Sequence, residues 1–180
     1  MAEQYGFFVD SRRCVKCWAC EVACQQWHEI KAATVHRREV REEVEGTFPN
    51  VKRTFTSLSC MHCENPACVE NCPVGAIYKR EEDGLVVGDS SVCIGCKTCE
   101  KACPFGVPQY LEIEGEGFKM DKCDGCLSLG RAADETPRCV NTCPTKPCIS
   151  VAGRHGALAT EKGGSRLEGD TTPSVFVARR

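Results

Sequence analysis

No apolar run in the 180-residue sequence approaches the roughly 18 residues that a membrane-spanning helix requires, so no direct membrane span is expected. Aromatic residues make up only 7% of the chain, which predicts a thin apolar core. The opening, MAEQYGFFVDSRRC, has neither a basic leading segment nor a long apolar stretch and does not read as a secretory signal. Tyr5 to Val9 reads instead as a short strand.

What the chain has in abundance is cysteine, 17 residues of it, gathered into CxxC runs. A disulfide framework has no need of such repeats, whereas metal binding does. The clearest run is Cys93 to Pro104, CIGCKTCEKACP, spaced C-x2-C-x2-C-x3-C-P. This is the bacterial ferredoxin spacing for iron-sulfur cubanes. Three closely spaced thiolates wrap one face of the cube, while the N–H groups of so tight a loop turn towards its electron-rich sulfurs. Cys103 follows Cys99 by about one helical turn, and in two-cluster ferredoxins this fourth cysteine ligates the neighbouring cluster. One run therefore implies a partner run.

Three more runs are present. The first is Cys14, Cys17, Cys20 and Cys24, with Gln25 in place of the closing proline, so a helix is expected to continue to about Ile30. Trp18 inside it reads either as a cover for the cluster or as packing. Residues 31–59 hold no cysteine, and their two segments, Thr34 to Val44 and Val51 to Leu58, predict a loose hairpin insertion. Its charge run, RREVREEVE, reads as a solvated face, and His28 and His36 read as surface residues. The second run is Cys60, Cys63, Cys68 and Cys72, closed by Pro73, with Asn65-Pro66 expected to cap a short helix. His62, between two ligands, reads as a residue behind the ligands or at the surface. Strand, turn and strand are predicted after run two, Ala76 to Arg80 and Leu85 to Val87, and again after run three, Gln109 to Ile113 and Gly117 to Met120. The fourth run, Cys123, Cys126, Cys139 and Cys143, carries a polar x12 loop and ends in Pro144.

Sixteen cysteines thus fit four [4Fe-4S] clusters, and Cys148, without partner spacing, reads as a structural thiol. Four oxidised cubanes with their thiolates would bring the formal charge of −2 near about −10, which argues against a nucleic-acid surface. Arg12, Arg13, Lys16, Lys97 and Lys101 flank the runs and read either as local counter-charges or as solvated surface. The runs must act in pairs, and spacing alone leaves the pairing open. Complete cysteine ligation leaves no open iron, so the clusters are expected to carry electrons and not to act on a substrate. Run four alone would also suit a four-cysteine zinc ribbon, and a free-standing polyferredoxin shares the same clusters. The last thirty residues read either as a mobile tail or, because of Val175 to Val177, as an arm docking on a partner.

The segments QYGFFVDSRRCVKCWACEVAC, LSCMHCENPACVENCPVGAIYKRE, VCIGCKTCEKACPFGVPQY and KCDGC with CVNTCP resemble the four-cluster electron-transfer subunits of the dimethyl sulfoxide reductase superfamily. The resemblance spans about residues 4–150 and implies an α+β fold of two pseudo-symmetric, bacterial ferredoxin-like two-cluster lobes with short helices and β-hairpins. One lobe would comprise residues 1–30 and 114–150, the other 60–113, with the hairpin insertion 31–59 and a C-terminal arm or tail 151–180. It implies a first cluster on Cys14, Cys17, Cys20 and Cys143 and a second on Cys123, Cys126, Cys139 and Cys24. The third would take Cys60, Cys63, Cys68 and Cys103, and the fourth Cys93, Cys96, Cys99 and Cys72. It further implies a large molybdenum or tungsten bis-pterin (molybdopterin-type) catalytic subunit at the first cluster. A quinol-linked membrane anchor or a soluble carrier would face the fourth. The protein would stand on either side of a membrane, within a peripheral complex.

Overall fold

The computed structural model describes residues 4–31, 34–132, 135–145, 148–152, 163–168, 171 and 175–178. Strand β1, Gly6–Asp10, is buried at every position and sits inside a four-stranded sheet. On one side β1 pairs antiparallel with β8, Ile149–Ala152; on the other it pairs parallel with β10, Val175–Ala178. Strand β9, Ser165–Arg166, closes the outer edge against β10. Phe7, Phe8 and Val9 supply this sheet's apolar content, as the GFFVD sequence predicts, with the strand shifted one residue from the expected bounds.

Three hairpins follow in chain order, each where turn residues interrupt β-branched or aromatic runs. Strands β2, Arg38–Glu45, and β3, Lys52–Ser59, form the insertion. Its root is buried at Arg38, Val40, Thr56, Ser57 and Ser59, while its tip is exposed. The expectation that RREVREEVE is a solvated face therefore fails at its base: Arg38 shares the period-two inner face with Val40 and is 2% exposed. Strands β4, Ile77–Lys79, and β5, Val86–Gly88, form the second hairpin, and β6, Gln109–Ile113, with β7, Gly117–Asp121, the third.

The helices are short: α1, Ala19–Trp27; α2, Ala67–Glu70; α3, Thr98–Ala102; and α4, Arg138–Thr142. Each carries the third cysteine of a run, with the fourth one turn on, inside α1 and at or just past the end of the others. Helix α1 is the longest, as the missing proline after Cys24 allows, but it stops before Ile30, where Glu29 turns to a φ of 53°. Helix α2 starts at Ala67 with Pro66 in the cap position. Asn65 does not cap it: no side-chain bond caps this helix, and the Asn65 backbone N–H donates to the Thr171 carbonyl at 3.2 Å. Helix α1 packs on α4, and α2 on α3. Together the elements make a small mixed α/β fold of few helices and short sheets.

The C-terminal segment also differs from both expectations. Val175 and Val177 are buried in the protein's own sheet, because β1 has an edge that only a second strand can satisfy. Arg166 pairs with Glu64 at 2.9 Å, and Thr171 donates to the Cys63 sulfur at 3.1 Å. Residues 153–162 of the same segment lie outside the described residues. Among those described, no helix is long and apolar enough to cross a membrane.

Candidate iron-sulfur sites

Each run begins with a backbone device that the spacing dictates. The residue before the second cysteine has positive φ in all four runs: Lys16 at 54°, His62 at 41°, Gly95 at 71° and Gly125 at 69°. A left-handed residue there curls the loop so that successive N–H groups face inward. The Gly95 N–H points at the Cys93 sulfur and the Gly125 N–H at the Cys123 sulfur, each at 3.4 Å.

These loops gather the thiols into four groups. Cys14, Cys17, Cys20 and Cys143 line one cavity of about 290 Å³, with Trp18 and Lys16 at its rim, where the ammonium sits 5.4 Å over the indole. Cys60, Cys63, Cys68 and Cys103 line another of about 300 Å³. Cys24 lies beside Cys123, Cys139 and Cys126, while Cys72 lies beside Cys99 and Cys93, in the apolar cluster of Ala76, Ile77, Val86 and Met120. Cys96 is at the surface next to Thr98, whose hydroxyl donates to its sulfur at 3.4 Å. Each group joins three thiols of one run to the last thiol of another. Among the described residues no three His, Cys, Asp or Glu side chains converge on a point suited to one metal ion.

The charges around the groups fit an anionic cofactor. Arg38 has no carboxylate partner among the described residues; its guanidinium donates to the hydroxyls of Ser57 at 3.1 Å and Ser59 at 2.9 Å and lies over the Phe7 ring at 4.5 Å. Burial works against its charge, yet the neighbouring thiolates of Cys139, Cys123, Cys20 and Cys24 outweigh that and hold its pKa above the ordinary value. A buried cation without an anion is costly, so these thiolates and what they bind are its counter-charge. Arg38 thus adjoins both the first and the second group. Lys122, 4% exposed, does the same for the second and third, donating to the Cys123 carbonyl at 3.1 Å with Cys60 Sγ 3.7 Å away.

His62 lies beside this bridge, fully buried. Its Nδ1 accepts the Val86 N–H at 3.1 Å, which leaves the proton on Nε2. Nε2 has no conventional partner and stands on the side of Cys123, whose pKa it lowers against the opposing effect of burial. A sulfur-rich anion on Cys123 would satisfy it. Elsewhere burial pushes the thiol of Cys68 up to about 12 and that of Cys139 up to about 11, so each keeps its proton at neutral pH until a metal displaces it.

Sequence reasoning placed the sixteen cysteines and put His62 behind the ligands or at the surface; it is buried. It missed Arg38, Lys122 and Tyr110, whose hydroxyl meets the Cys99 sulfur at 3.0 Å. The alternation of Arg38 with Val40 was the available signal for the first. The flanking cations behave mostly as surface: Arg12 and Arg13 pair with Asp10, Lys16 pairs with Glu42, and Lys97 covers the Phe118 ring at 4.8 Å. His28 and His36 are held by Arg37 and by Glu21 respectively.

Residues 51–154 match the family described as 4Fe-4S dicluster domain. The B subunit of the anaerobic dimethyl sulfoxide reductase of Escherichia coli K12 is 44% identical over 173 residues, covering 88% of this protein and 81% of that one. The subunit of the same name from Haemophilus influenzae is 38% identical over 171 residues, with the same shares covered. Protein NrfC of Escherichia coli K12 is 35% identical over 143 residues, 79% of this protein and 63% of its own length. The protein therefore belongs to the 4Fe-4S dicluster domain family, alongside the iron-sulfur subunit of dimethyl sulfoxide reductase, and is an iron-sulfur electron-transfer protein.

Proposed function

We propose that the protein is the non-catalytic wire of a larger oxidoreductase, with one [4Fe-4S] cluster in each of the four thiol groups. The first would be held by Cys14, Cys17, Cys20 and Cys143, the second by Cys123, Cys126, Cys139 and Cys24. The third would use Cys60, Cys63, Cys68 and Cys103, the fourth Cys93, Cys96, Cys99 and Cys72. Each bound cluster supplies reversible one-electron storage. The residues between the groups support the order one, two, three, four. Arg38 adjoins groups one and two, Lys122 and His62 adjoin two and three, and groups three and four share the interleaved helices α2 and α3.

One observation carries the reading. Of the seventeen cysteines only Cys17, in the first group, and Cys96, in the fourth, are exposed. Apolar side chains surround both: Val15 is 60% exposed and Trp18 48% beside Cys17, and Ile94 is 64% exposed beside Cys96. These exposures favour the Cys17 and Cys96 sites as the ends of the wire, where a protein partner can approach. A molybdenum or tungsten bis-pterin catalytic subunit at the Cys17 end, and a quinol-linked anchor or soluble carrier at the Cys96 end, suit this arrangement. The lobes would be residues 1–30 with 114–150, and 60–113, the insertion 31–59 joining them, with residues 151–180 as the C-terminal arm.

Iron analysis and EPR test the reading. The loaded protein is expected to hold about sixteen irons, and a fully loaded sample holding about eight would overturn it. Cys143→Ser should damage the first cluster, although its own run supplies three ligands of the second. Co-purification with a large molybdopterin-containing subunit tests the partner, and a persistent free monomer would favour a free polyferredoxin.

A further inference from the structure

Cys148 belongs to none of the four runs, yet its position is set by the same repeat. After α2, Cys72-Pro73 leads through a short turn to buried Ala76 and Ile77; after α4, Cys143-Pro144 leads to buried Cys148 and Ile149. The repeat asks for a small buried side chain there, and in the second lobe a methyl group suffices. Here the position holds a thiol that is 2% exposed. Its backbone is pinned on both sides, the N–H donating to the Thr145 carbonyl at 3.1 Å and the carbonyl accepting from the Asp10 N–H at 2.7 Å. The side chain lines the first cavity together with Cys14, Cys17, Cys20 and Cys143. Its sulfur shares that cavity with the sulfurs of Cys14 and Cys143.

Four thiolates saturate the four irons of a cubane, so a fifth thiol in the same cavity has no iron left to bind. What it can offer is its S–H, a weak donor, to a ligand sulfur that is rich in electrons. Hydrogen bonds to cluster sulfurs withdraw charge and favour the reduced, more negative state. Thr145 makes the same kind of contact on the far side, its hydroxyl 3.7 Å from the Cys143 sulfur, at the limit of such a bond. Cys148 is the better placed of the two because it is buried and held at both backbone groups.

We propose that Cys148 is a positioning residue of the first cluster, donating its S–H to a sulfur of that site and raising the cluster's potential above what four cysteines alone would set. The proposal rests on the first thiol group holding a [4Fe-4S] cluster. Redox-poised EPR of the full-length loaded protein tests both, with wild type, Cys148→Ala and Cys148→Ser compared. Wild-type protein with about sixteen irons and a first-cluster signal upholds the site; its failure to load that site would remove the proposal with the reading. Given a loaded site, Cys148→Ala should keep its iron and shift the first cluster alone to lower potential. Cys148→Ser, with a hydroxyl donor in the same place, should restore most of the shift. Loss of about four irons in Cys148→Ala would make Cys148 a ligand, and an unmoved midpoint would deny the hydrogen bond; either overturns the proposal. Should the alanine variant not accumulate, Cys148→Val, which fills the same space without a donor, takes its place, and a first-cluster midpoint equal to that of wild type overturns the proposal.

Discussion

Lys122 Nζ lies 3.7 Å from Cys60 Sγ and 3.1 Å from the carbonyl oxygen of Cys123, so one buried ammonium touches a thiol of the third group and the backbone of a cysteine in the second. A positive charge at that point stabilises the reduced form of both neighbours. Lys122→Met keeps the length and apolar stem of the side chain and removes its charge. The second and third clusters should both shift to lower potential, while the first and fourth hold, as read by EPR across a redox titration. A shift in one cluster only would mean that the ammonium does not serve both.

Arg38 makes the matching link between the first and second groups, and its removal should cost more. The guanidinium is fully buried against four thiols, and breaking such a pair costs about 3–5 kcal/mol. Arg38→Met is therefore expected to lower the Tm of the loaded protein markedly and to reduce the potentials of the first two clusters. Arg38→Lys should recover part of the potential but not the paired bonds to Ser57 and Ser59. Thermal melting alongside EPR separates the two effects.

Gly95 is irreplaceable for two reasons, its φ of 71° and a Cβ that would stand 2.4 Å from the Phe118 carbonyl oxygen. Gly95→Ala should open the loop between Cys93 and Cys96 and bring the iron content from about sixteen to about twelve. Gly115→Ala is the control: its φ is 80°, but nothing lies within 4 Å of the added carbon. Only about 1–2 kcal/mol of backbone strain is expected there, with all clusters retained.

Tyr110 donates to the Cys99 sulfur, so Tyr110→Phe should lower the potential of the fourth cluster alone. Burial, and then the bond to Cys99, push the phenol's pKa above its ordinary value near 10. The donor therefore stays protonated throughout the neutral and mildly alkaline range. The difference between Tyr110→Phe and wild type should accordingly be flat from about pH 6 to about pH 9. A difference that vanishes within that window would show the phenol ionising.

Strand β10 should matter to stability even though it lies far along the sequence from β1. Val177 is 3% exposed beside Val9, and a charge there has no partner. Val177→Asp should destabilise the protein by about 3 kcal/mol or more, measurable as a fall in Tm, with full cluster content below the transition.

The sequence makes the sixteen thiols and the three hairpins legible because their causes are local: spacing closes the loops, and turn residues set Asp83-Gly84 and Gly115 between short strands. Long-range causes are less legible. Arg38 reads as surface because charge in a mixed run is usually solvated; only the fold brings thiolates from α1, α4 and the fourth run around it. Cys148 has no spacing partner because its neighbours, Cys14 and Cys143, come from opposite parts of the sequence. The strand Val175–Ala178 was visible as an apolar piece, but its partner could be known only once β1 proved to have an open edge.

The pairing of Phe7 with Val175 and of Phe8 with Ser150 has a meaning for biogenesis. A ribosome makes β1 first and both of its neighbours only after Cys143, so every ligand-bearing loop emerges before the sheet behind the first site can close. The cavity of the first thiol group, which Cys148 and Ile149 help to line, is therefore completed only when β8 has been made. A polypeptide ending at residue 148 should accordingly accept iron faster than the full-length apo protein, and lose it faster too.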